Sequence, residues 1–574
     1  MKNPGTMRYQ LDERPPFYLA FGLGVQFAVL IALGIILTPA IVVRAGGGSE
    51  EFVSWAVFAA AAICGATTIL QTVRIGRVGA GYVLAMGTSG AFIAICVAAI
   101  AKGGPGMLGT LVAISALFQF ALAARLSLFR RVLTPTVAGT VIMLIPVTVM
   151  PIIADMLVPP GETEAAAICA GATIAVILAV AFKSRGMLRL WAPVFGVITG
   201  SVIGAYYGLY DFQLVAAAGW IGLPQGNWPG LDLEFGPVFW SLLPGFILVT
   251  LVGAVETIGD GVAIQRVSWR RKRAIDFRAV QGAVAADGVG NLLSGLAATV
   301  PNTTYSTSVP VAELTGVAAR RVGIMLGAIF ICGAFLPKAL AVILAIPTPV
   351  AGAYIAILLS SLFVLGMRIV VEGGLDFRKG LIAGISFWVG VGCELDAIFP
   401  EYLTGIAGGL FDSGMTAGAL TAIVLTLFLE ITQPRRRRMQ TRFAITELPA
   451  VRQFVGEFAR REGWQDDMVQ RLDAAVEETL LTMLHEDEDA TSPPRRLLLT
   501  AHREEHAAEL EFIAAVGEEN LEDRISLMSE RAEEYSSGRE VSLRLLRHLA
   551  TSVHHQQYEE VDIITIRVEA PTPE

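Results

Sequence analysis

The stretch Pro301-Asn302-Thr303-Thr304-Tyr305-Ser306-Thr307-Ser308-Val309-Pro310-Val311 is uncharged and rich in hydroxyl groups, and it lies between two long apolar runs. Hydrocarbon cannot hydrate backbone N–H and C=O groups, so irregular polar backbone at membrane depth persists only where it lines a cavity enclosed by protein. A second break, Gly87-Thr88-Ser89-Gly90, interrupts an earlier apolar run. Interrupted segments of this kind point to the binding site of a transporter. The two stretches predict a membrane protein that moves a small polar solute.

The amino-acid composition excludes an ordinary soluble domain. The chain is 54% hydrophobic and only 16% charged, which is typical of a helical protein that crosses a membrane several times. The five cysteines share no metal-ligand spacing, so neither a metal site nor another cofactor is expected. All six histidines follow residue 437. Any proton relay in the apolar part must therefore use carboxylates.

Fourteen apolar runs can be placed before residue 433. An even number puts both termini on the same side of the membrane. Basic clusters such as Arg130/Arg131 and Arg270–Arg273 fall in alternate connections, which the positive-inside rule assigns to the cytoplasm. We therefore expect a multi-pass protein of a bacterial-type inner membrane with both termini cytoplasmic. The runs are 17–43, 53–71, 80–101, 107–128, 132–157, 164–182, 189–209, 238–265, 279–298, 305–319, 322–345, 348–371, 379–399 and 410–432.

The order of these runs predicts an internal repeat. The tenth run, 305–319, is shorter than a full span. It and the third run, 80–101, are entered through polar backbone, so each is expected to be a broken span with a half helix. In the order of predicted spans, the tenth comes seven spans after the third. This spacing fits an all-α fold of fourteen spans built as two seven-span repeats of opposite orientation.

The charge changes sharply after Arg435–Arg438. Residues 438–574 carry a net charge of −14, whereas the preceding 437 residues carry +6. In the later segment, strands are predicted at Phe443–Thr446, Leu497–Ala501, Leu510–Ala515 and Val561–Val568, and helices near 448–462, 467–484, 519–531 and 540–553. The expected parts are a cytoplasmic tail at 1–16, a transmembrane transporter domain at 17–432, a basic linker at 433–440 and a cytoplasmic α+β domain at 441–574.

Two carboxylates stand out in the eighth run. Glu256 and Asp260 are four residues apart, which puts both on one face of a helix. Acids near the membrane midplane are costly and usually functional. A carboxylate can accept two parallel N–H bonds from a planar ligand, and a buried acid can also carry a proton. The structural alternative is a pair that only bonds to neighbouring hydroxyls or caps a helix break.

The two breaks supply the other candidate residues. Half helices that begin near Ser89–Gly90 and Ser306–Thr307 would direct N–H groups at carbonyl oxygens or anions of a ligand. Phe92 and Tyr305 could stack on a planar ring, although ordinary packing explains them equally well. The role of Glu313 stays open between an ion pair, a helix contact and coupling. Four further acids are expected at span ends: Asp155, Asp287, Glu394 and Asp396.

Five motifs in order resemble the nucleobase–ascorbate transporter family, also called nucleobase:cation symporter-2, which includes uracil and xanthine permeases. The resemblance covers about residues 15–432. The motifs are Leu70-Gln71-Thr72 with Met86–Phe92, Pro135–Val141, Glu256-Thr257-Ile258-Gly259-Asp260, Pro301–Tyr305 with Leu314–Arg320, and Phe335–Lys338 with Ile346-Pro347.

The resemblance implies a fourteen-span inverted repeat with core and gate subdomains, usually a homodimer, and uptake coupled to protons or sodium. It implies that Glu256 binds the N–H groups of a nucleobase, while backbone around Gly90 and Ser306 meets its carbonyls. The Glu-x-x-Gly-Asp form looks closer to the purine branch. Asp260 occupies a position where uracil permeases carry a histidine, so it is the first residue expected to couple the ion, with Glu256 as the second.

Three positions depart from the family pattern. Thr307 stands where an acid or glutamine makes the second side-chain contact, and Gly90 stands where an aromatic is usual. The first-span Gln-His pair is Gln26-Phe27 here, and Gln26 remains a candidate for substrate contact. These departures imply a roomier pocket that lacks one recognition contact.

The C-terminal domain resembles the ATP-binding domain of histidine kinases and anti-sigma kinases. Thr482 stands at the place of a Mg²⁺-binding asparagine, and Gly538–Leu543 resembles a worn glycine-rich lid. No Asp-x-Gly-x-Gly is present. ATP turnover is therefore not expected, and a degenerate regulatory or dimerising domain is preferred to a nucleotide-binding one.

Three functions remain open at this point, and none of them is enzymatic. The preferred function is proton-coupled uptake of a nucleobase by alternating access, with a purine such as xanthine or urate as the substrate. The alternatives are a transporter of the same fold for another small organic anion, and a membrane sensor that signals to a cytosolic partner through the C-terminal domain. No binding to nucleic acid is expected. The sequence also leaves Na⁺ open as the coupling ion.

Overall fold

A computed structural model describes most of the chain. The described residues are 7–126, 134–158, 163–271, 273–372, 376–398, 414–432, 436–484, 496–504, 507–514, 545–559 and 561–569. They form two compact units, one comprising Met1–Arg270 with Ala279–Glu430 and the other Arg271–Arg278 with Ile431–Glu574.

The first unit is helical and contains one small two-stranded sheet. An element begins close to the start of almost every predicted apolar run. The elements are α1 Phe17–Ala45, α2 Glu50–Val73, β1 Met86–Thr88, α3 Ile93–Ala124, α4 Pro135–Leu157, α5 Thr163–Lys183, α6 Met187–Leu190, α7 Ala192–Tyr206, α8 Phe212–Ala217, α9 Pro237–Val267, α10 Phe277–Leu296, β2 Asn302–Thr304, α11 Ser308–Thr315, α12 Arg320–Ala334, α13 Pro337–Leu344, α14 Thr348–Glu372, α15 Phe377–Glu394 and α16 Gly414–Thr432.

The helices are of membrane type. Within the described residues, seven are long and apolar enough to cross a membrane, and α12 with α13 forms an eighth candidate bent by 87°. The prediction of a helical membrane fold with a separate sheet domain is confirmed. The number of fourteen spans stays a prediction.

The third and fourth apolar runs meet inside α3, where two helical segments are separated by a non-helical residue. Inside α3, Gly104 has φ 79° and ψ −178°, and Pro105 follows it. A positive φ is readily adopted only by glycine, and proline cannot donate the next helical hydrogen bond. The two residues therefore break the helix between the two predicted runs, where a connection was expected.

An N-terminal strap, residues 7–16, packs against the rest of the first unit and contains a turn at Leu11–Asp12. Tyr9 pairs with Val317 as a parallel bridge, and the N–H of Ala318 donates to the carbonyl of Tyr9 at 2.9 Å. Arg270 donates from Nε to the carbonyl of Met7 at 2.9 Å. Part of the predicted cytoplasmic tail is therefore an ordered piece of the membrane unit.

The second unit contains a five-stranded antiparallel sheet of order β3-β4-β5-β7-β6 and two helices. Alternate strand residues such as Leu499, Phe512 and Ile564 share a buried core with Val455 and Leu472 from the helices. The elements are β3 Arg437–Arg442, α17 Leu448–Arg461, α18 Asp466–Leu484, β4 Arg496–Glu504, β5 Ala507–Ala514, β6 Ser552–Gln557 and β7 Asp562–Glu569.

Most C-terminal elements match their predictions, but two do not. The strand expected at Phe443–Thr446 is wrong, because β3 ends at Arg442 and a 3₁₀ turn occupies Ile445–Glu447. The strand thus begins inside the predicted linker 433–440. The helix expected near 540–553 extends too far, since β6 begins at Ser552 and pairs with β7. The predicted helix near 519–531 lies outside the described residues.

Candidate functional site

Strands β1 and β2 bring the two predicted breaks together at the centre of the first unit. They pair antiparallel, with Met86 opposite Thr304 and Thr88 opposite Asn302. The ladder continues on both sides, because the N–H of Ser89 donates to Pro301 at 2.9 Å and that of Tyr305 donates to Ala85 at 2.8 Å. Cross-pairing satisfies the polar backbone that the apolar surroundings could not.

A helix begins directly after each strand. A 3₁₀ turn at Gly90–Phe92 leads into α3, and α11 begins at Ser308. Neither first turn is capped by a side chain of its N-cap residue, Ser89 or Thr307. Within the described residues, the N–H groups of Gly90, Ala91, Ser306 and Thr307 have no hydrogen-bond acceptor. Two helix N-termini with unused donors form a ready site for carbonyl oxygens or anions.

Helix α9 packs alongside these strands and carries the two predicted carboxylates. Asp260 is buried, and its Oδ2 accepts a hydrogen bond from Thr304 Oγ1 at 2.8 Å. The Ser306 hydroxyl also bonds to Asp260. Glu256, one turn earlier, is only half-buried. No lysine or arginine of the described residues forms an ion pair with either acid, so the site is formally anionic.

A third carboxylate, Asp287, completes the cluster from α10. Its Oδ2 accepts hydrogen bonds from Thr257 Oγ1 at 2.8 Å and from Gln119 Nε2 at 2.7 Å. Its Oδ1 is buried and has no partner within the described part of the chain. Asn291 links the same network to β2, donating to Gln119 at 2.8 Å and accepting from the N–H of Asn302 at 2.8 Å.

The expected place of Asp287 at a span end is wrong. The helix begins at Phe277 and ends at Leu296, so Asp287 lies at its middle and is fully buried. The sequence signal was present, because Asp287 and Asn291 are four residues apart among glycines and alanines, on a helix with no large apolar face. The sequence analysis also did not predict three residues whose side chains take part in this network of hydrogen bonds: Thr257, Thr303 and Gln119.

The two candidate aromatics are both held by packing. Phe92 is buried, and its ring lies 6.4 Å from that of Phe246. Tyr305 lies against Gly87 and Gly34, and its hydroxyl donates to the carbonyl of Thr88 at 3.0 Å. Stacking of either ring on a ligand stays a prediction.

The remaining candidates are spread more widely. A methyl group placed on Gly90 would be in van der Waals contact with Leu358 on α14, at 3.4 Å. Ser306 is exposed and Thr307 half-buried at the start of α11.

Two candidates lie apart from the cluster. Gln26 lies on α1 eight residues before Gly34, about 12 Å along the helix. Glu313 is exposed on α11. Neither Gln26 nor Glu313 therefore belongs to the carboxylate cluster.

Known proteins are similar to this chain in sequence. The model of the Permease family, the xanthine and uracil permeases, matches residues 20–397. Xanthine permease XanP of Escherichia coli (strain K12) is 28% identical over 444 residues, which cover 73% of this chain and 94% of that protein. Uric acid permease PucK of Bacillus subtilis (strain 168) is 28% identical over 432 residues, which cover 73% of this chain and 97% of that protein.

One solved structure is also similar. It is the transmembrane domain of a cyanobacterium bicarbonate transporter, BicA, with a TM-score of 0.46 and 14% identity over 73% of this chain and 100% of that chain. The family model alone spans more than half of the sequence. The chain therefore belongs to the xanthine and uracil permease family, the nucleobase–ascorbate transporters, and is a transporter rather than an enzyme.

Proposed function

We propose that this permease takes up a purine nucleobase of the xanthine or urate class together with protons. The observation that carries the proposal is the placement of two complementary sets of groups around one centre. Glu256 supplies a hydrogen-bond acceptor with no basic partner, and the helix N-termini at Gly90 and Ser306 supply unused N–H donors. An oxopurine has adjacent N–H groups and carbonyl oxygens, which match these two sets.

The relatives support the same substrate class, since two of them are named as permeases of xanthine and of uric acid. Gly90 and Thr307 replace the larger side chains of the family pattern with smaller ones. This change favours a bicyclic purine over a single pyrimidine ring. A small organic anion remains the second candidate, because unused N–H donors at helix N-termini also bind carboxylates.

The coupling ion in this proposal is a proton carried by Asp260 and Asp287. Each is buried, and each is bonded to hydroxyl or amide groups rather than to a cation. An uncompensated buried charge is costly, and binding a proton removes it. Thr257 and Thr304 lie between the two acids, so occupancy of the Glu256 side can affect both.

Helix packing supports an inverted repeat of two seven-span halves. With the spans numbered as predicted, the pairing of β1 with β2 brings spans 3 and 10 together, and the packing of α4 against α14 brings spans 5 and 12 together. Spans 3 and 10 are equivalent positions in the two halves, and so are spans 5 and 12. Exchanging the two halves therefore leaves each of these contacts unchanged. Close contacts between glycines also support the repeat. Gly65 meets Gly327 between spans 2 and 11, and Gly109 meets Gly295 between the equivalent spans 9 and 4. Alternating access between core and gate subdomains follows from such a repeat.

For the rest of the chain we propose a homodimer in a bacterial-type inner membrane, with both termini cytoplasmic. The acidic sheet domain would regulate or dimerise the permease instead of hydrolysing ATP, or would present substrate occupancy to a cytosolic partner. The glycine-poor segment Gly538–Leu543 lies outside the described residues, as does the side chain of Thr482. Deleting residues 441–574 tests these roles, since unchanged uptake with an altered oligomeric state would favour dimerisation.

Uptake of radiolabelled xanthine and urate by cells that express the protein tests the transport proposal. Glu256→Gln should reduce uptake at least tenfold, because hydrogen bonds to a charged acceptor contribute roughly 1.5–3 kcal/mol. The matched control is Glu313→Gln, an exposed glutamate outside the cluster, which should transport normally. Both variants must reach the membrane in equal amounts. Full transport by Glu256→Gln would refute the site.

A ligand screen on purified protein separates the two substrate classes. A ligand that binds only the folded protein raises its melting temperature. The proposal expects a purine to produce a shift that Glu256→Gln abolishes. If organic acids stabilise the protein and purines do not, the second candidate replaces the first.

A further inference from the structure

The N-terminal strap forms one wall of an open pocket of about 510 Å³ at the start of α1 and α12. The pocket is separate from the carboxylate cluster, which lies deeper in the unit on α9 and α10. Its lining is strongly charged. The lining residues are Leu11, Asp12, Glu13, Arg14, Arg320, Arg321 and Ile324.

The two acids of this pocket already have partners. Arg320 donates from Nη1 to Asp12 Oδ1 at 2.6 Å. Glu13 accepts from both Nη1 and Nη2 of Arg270 at 2.7 Å. These pairs leave Arg14 and Arg321 with no carboxylate partner among the residues that the structure describes. The pocket therefore presents two positive charges that nothing in the described chain neutralises.

The position of Arg321 is fixed by local contacts. Its Nη1 donates to the carbonyl of Pro15 at 3.0 Å, and its guanidinium carbon lies 6.0 Å from the centroid of the Phe17 ring. Contact of a cation with an aromatic face holds the side chain without neutralising its charge. The remaining guanidinium N–H groups stay available for an oxygen-rich anion.

The pocket lies at the edge of the apolar part of the chain. Helix α1 begins at Phe17 and is one of the candidate membrane spans. Its first turns expose aromatic rings, with Phe17 56%, Tyr18 79% and Phe21 46% accessible. Aromatic belts of this kind lie at the level of lipid headgroups. A ligand of the pocket would thus approach from the headgroup layer.

We propose that Arg14 and Arg321 bind the phosphate of an anionic phospholipid, with one acyl chain along the exposed face of Phe17 and Phe21. Basic pockets between membrane helices on the cytoplasmic side have the chemistry to bind such headgroups. The strap contributes Arg14 and α12 contributes Arg321, so the lipid would join the strap to the helix that follows α11. A bound lipid would therefore stabilise the strap.

Purified full-length protein reconstituted in phosphatidylcholine vesicles, with or without phosphatidylglycerol, tests the proposal. Phosphatidylglycerol should raise the melting temperature of the wild type. The double variant Arg14→Gln with Arg321→Gln should bind this lipid about 30-fold more weakly, from roughly a factor of five for each arginine near the surface. The control Arg185→Gln with Arg189→Gln removes two exposed arginines elsewhere and should behave as the wild type.

A wild-type measurement keeps the proposal testable if the double variant does not fold. Native mass spectrometry of protein released from mixed micelles should show retained phosphatidylglycerol in preference to phosphatidylcholine. Equal retention of the two lipids would overturn the proposal. So would equal stabilisation by soluble inorganic phosphate, which would make the pocket a site for free anions, and an equal loss of lipid binding in the control.

Discussion

Thr257 Oγ1 donates a hydrogen bond to Asp287 Oδ2 at 2.8 Å and so joins the helix of the predicted substrate glutamate to a buried acid on the next helix. The same hydroxyl lies 3.3 Å from Thr303 Oγ1 on β2. One small side chain thus connects α9, α10 and the central strand pair. A shift of any one of these elements therefore changes the hydrogen bonds that Thr257 makes to the other two.

Asp287→Asn should uncouple transport from protons. The asparagine keeps the volume and can still accept from Thr257, but it cannot bind and release a proton. We expect accumulation driven by a proton gradient to fall at least tenfold, while exchange of substrate across the membrane without a gradient persists. Asp155→Asn, at an exposed acid near the end of α4, is the matched control. Normal gradient-driven accumulation by Asp287→Asn would exclude Asp287 from coupling.

Thr304→Val and Thr304→Ser form a second matched pair. Valine has the shape of threonine but removes the hydroxyl that donates to Asp260 at 2.8 Å, whereas serine retains it. A hydrogen bond to a charged group contributes roughly 1.5–3 kcal/mol. Uptake by the valine variant should therefore fall about tenfold or more, with a changed dependence on pH, and serine should restore both. Equal behaviour of the two variants would show that the hydroxyl has no role.

Gly87→Ala should lower the stability of the protein, whereas Gly90→Ala should not. A methyl group on Gly87 would collide with the ring of Tyr305, whereas one on Gly90 would meet only Leu358 at 3.4 Å and Leu359 at 3.7 Å. Overpacking at the first position should cost about 1–3 kcal/mol and lower the melting temperature. The second substitution should leave stability unchanged and narrow the site, which raises KM for bicyclic bases. Melting curves and uptake kinetics measure the two effects.

The strap should respond to the charge of Glu13. The guanidinium of Arg270 lowers the pKa of this carboxyl below its ordinary value of 4.5. Stabilisation from a carboxyl with a lowered pKa is present above the ordinary pKa and is lost as the pH falls through the lowered one. The strap should thus stay in place from neutral pH down to about pH 5 and loosen in stronger acid.

Hydrogen exchange at neutral pH checks this without acid. Glu13→Gln imitates the protonated carboxyl, so the N–H groups of Ala318 and Arg320, which donate to Tyr9 and Leu11, should exchange faster in this variant. Glu164→Gln serves as the matched control, because Glu164 is an exposed glutamate outside the strap. Unchanged exchange in Glu13→Gln would mean that backbone pairing alone holds the strap.

Much of the architecture follows directly from the sequence. Apolar runs marked the helices because burial in a membrane requires continuous apolar stretches, and hydroxyl-rich breaks marked β1 and β2 because such backbone needs a polar partner. The location of Glu256 and Asp260 on one face followed from helical spacing. Five motifs in order indicated the family, which the family model confirms.

Other features could not be obtained in this way, for physical reasons. Asp287 lies beside Thr257 only because α9 and α10 pack with a particular rotation, which spacing within one helix does not specify. In the same way, β3 begins at Arg437 because it pairs with β4, although four arginines suggest a linker.

The central strand pair also constrains how the protein is made. Thr88 and Tyr305, which are bonded across the ladder, are 217 residues apart in sequence. During synthesis, β1 is complete long before β2 leaves the ribosome, and its hydrogen-bonding groups have no strand to meet. The nascent chain must keep this segment hydrated or sheltered until more than half of the polypeptide has been produced. A chain that stops before Asn302 would therefore leave an unpaired polar edge inside the bilayer.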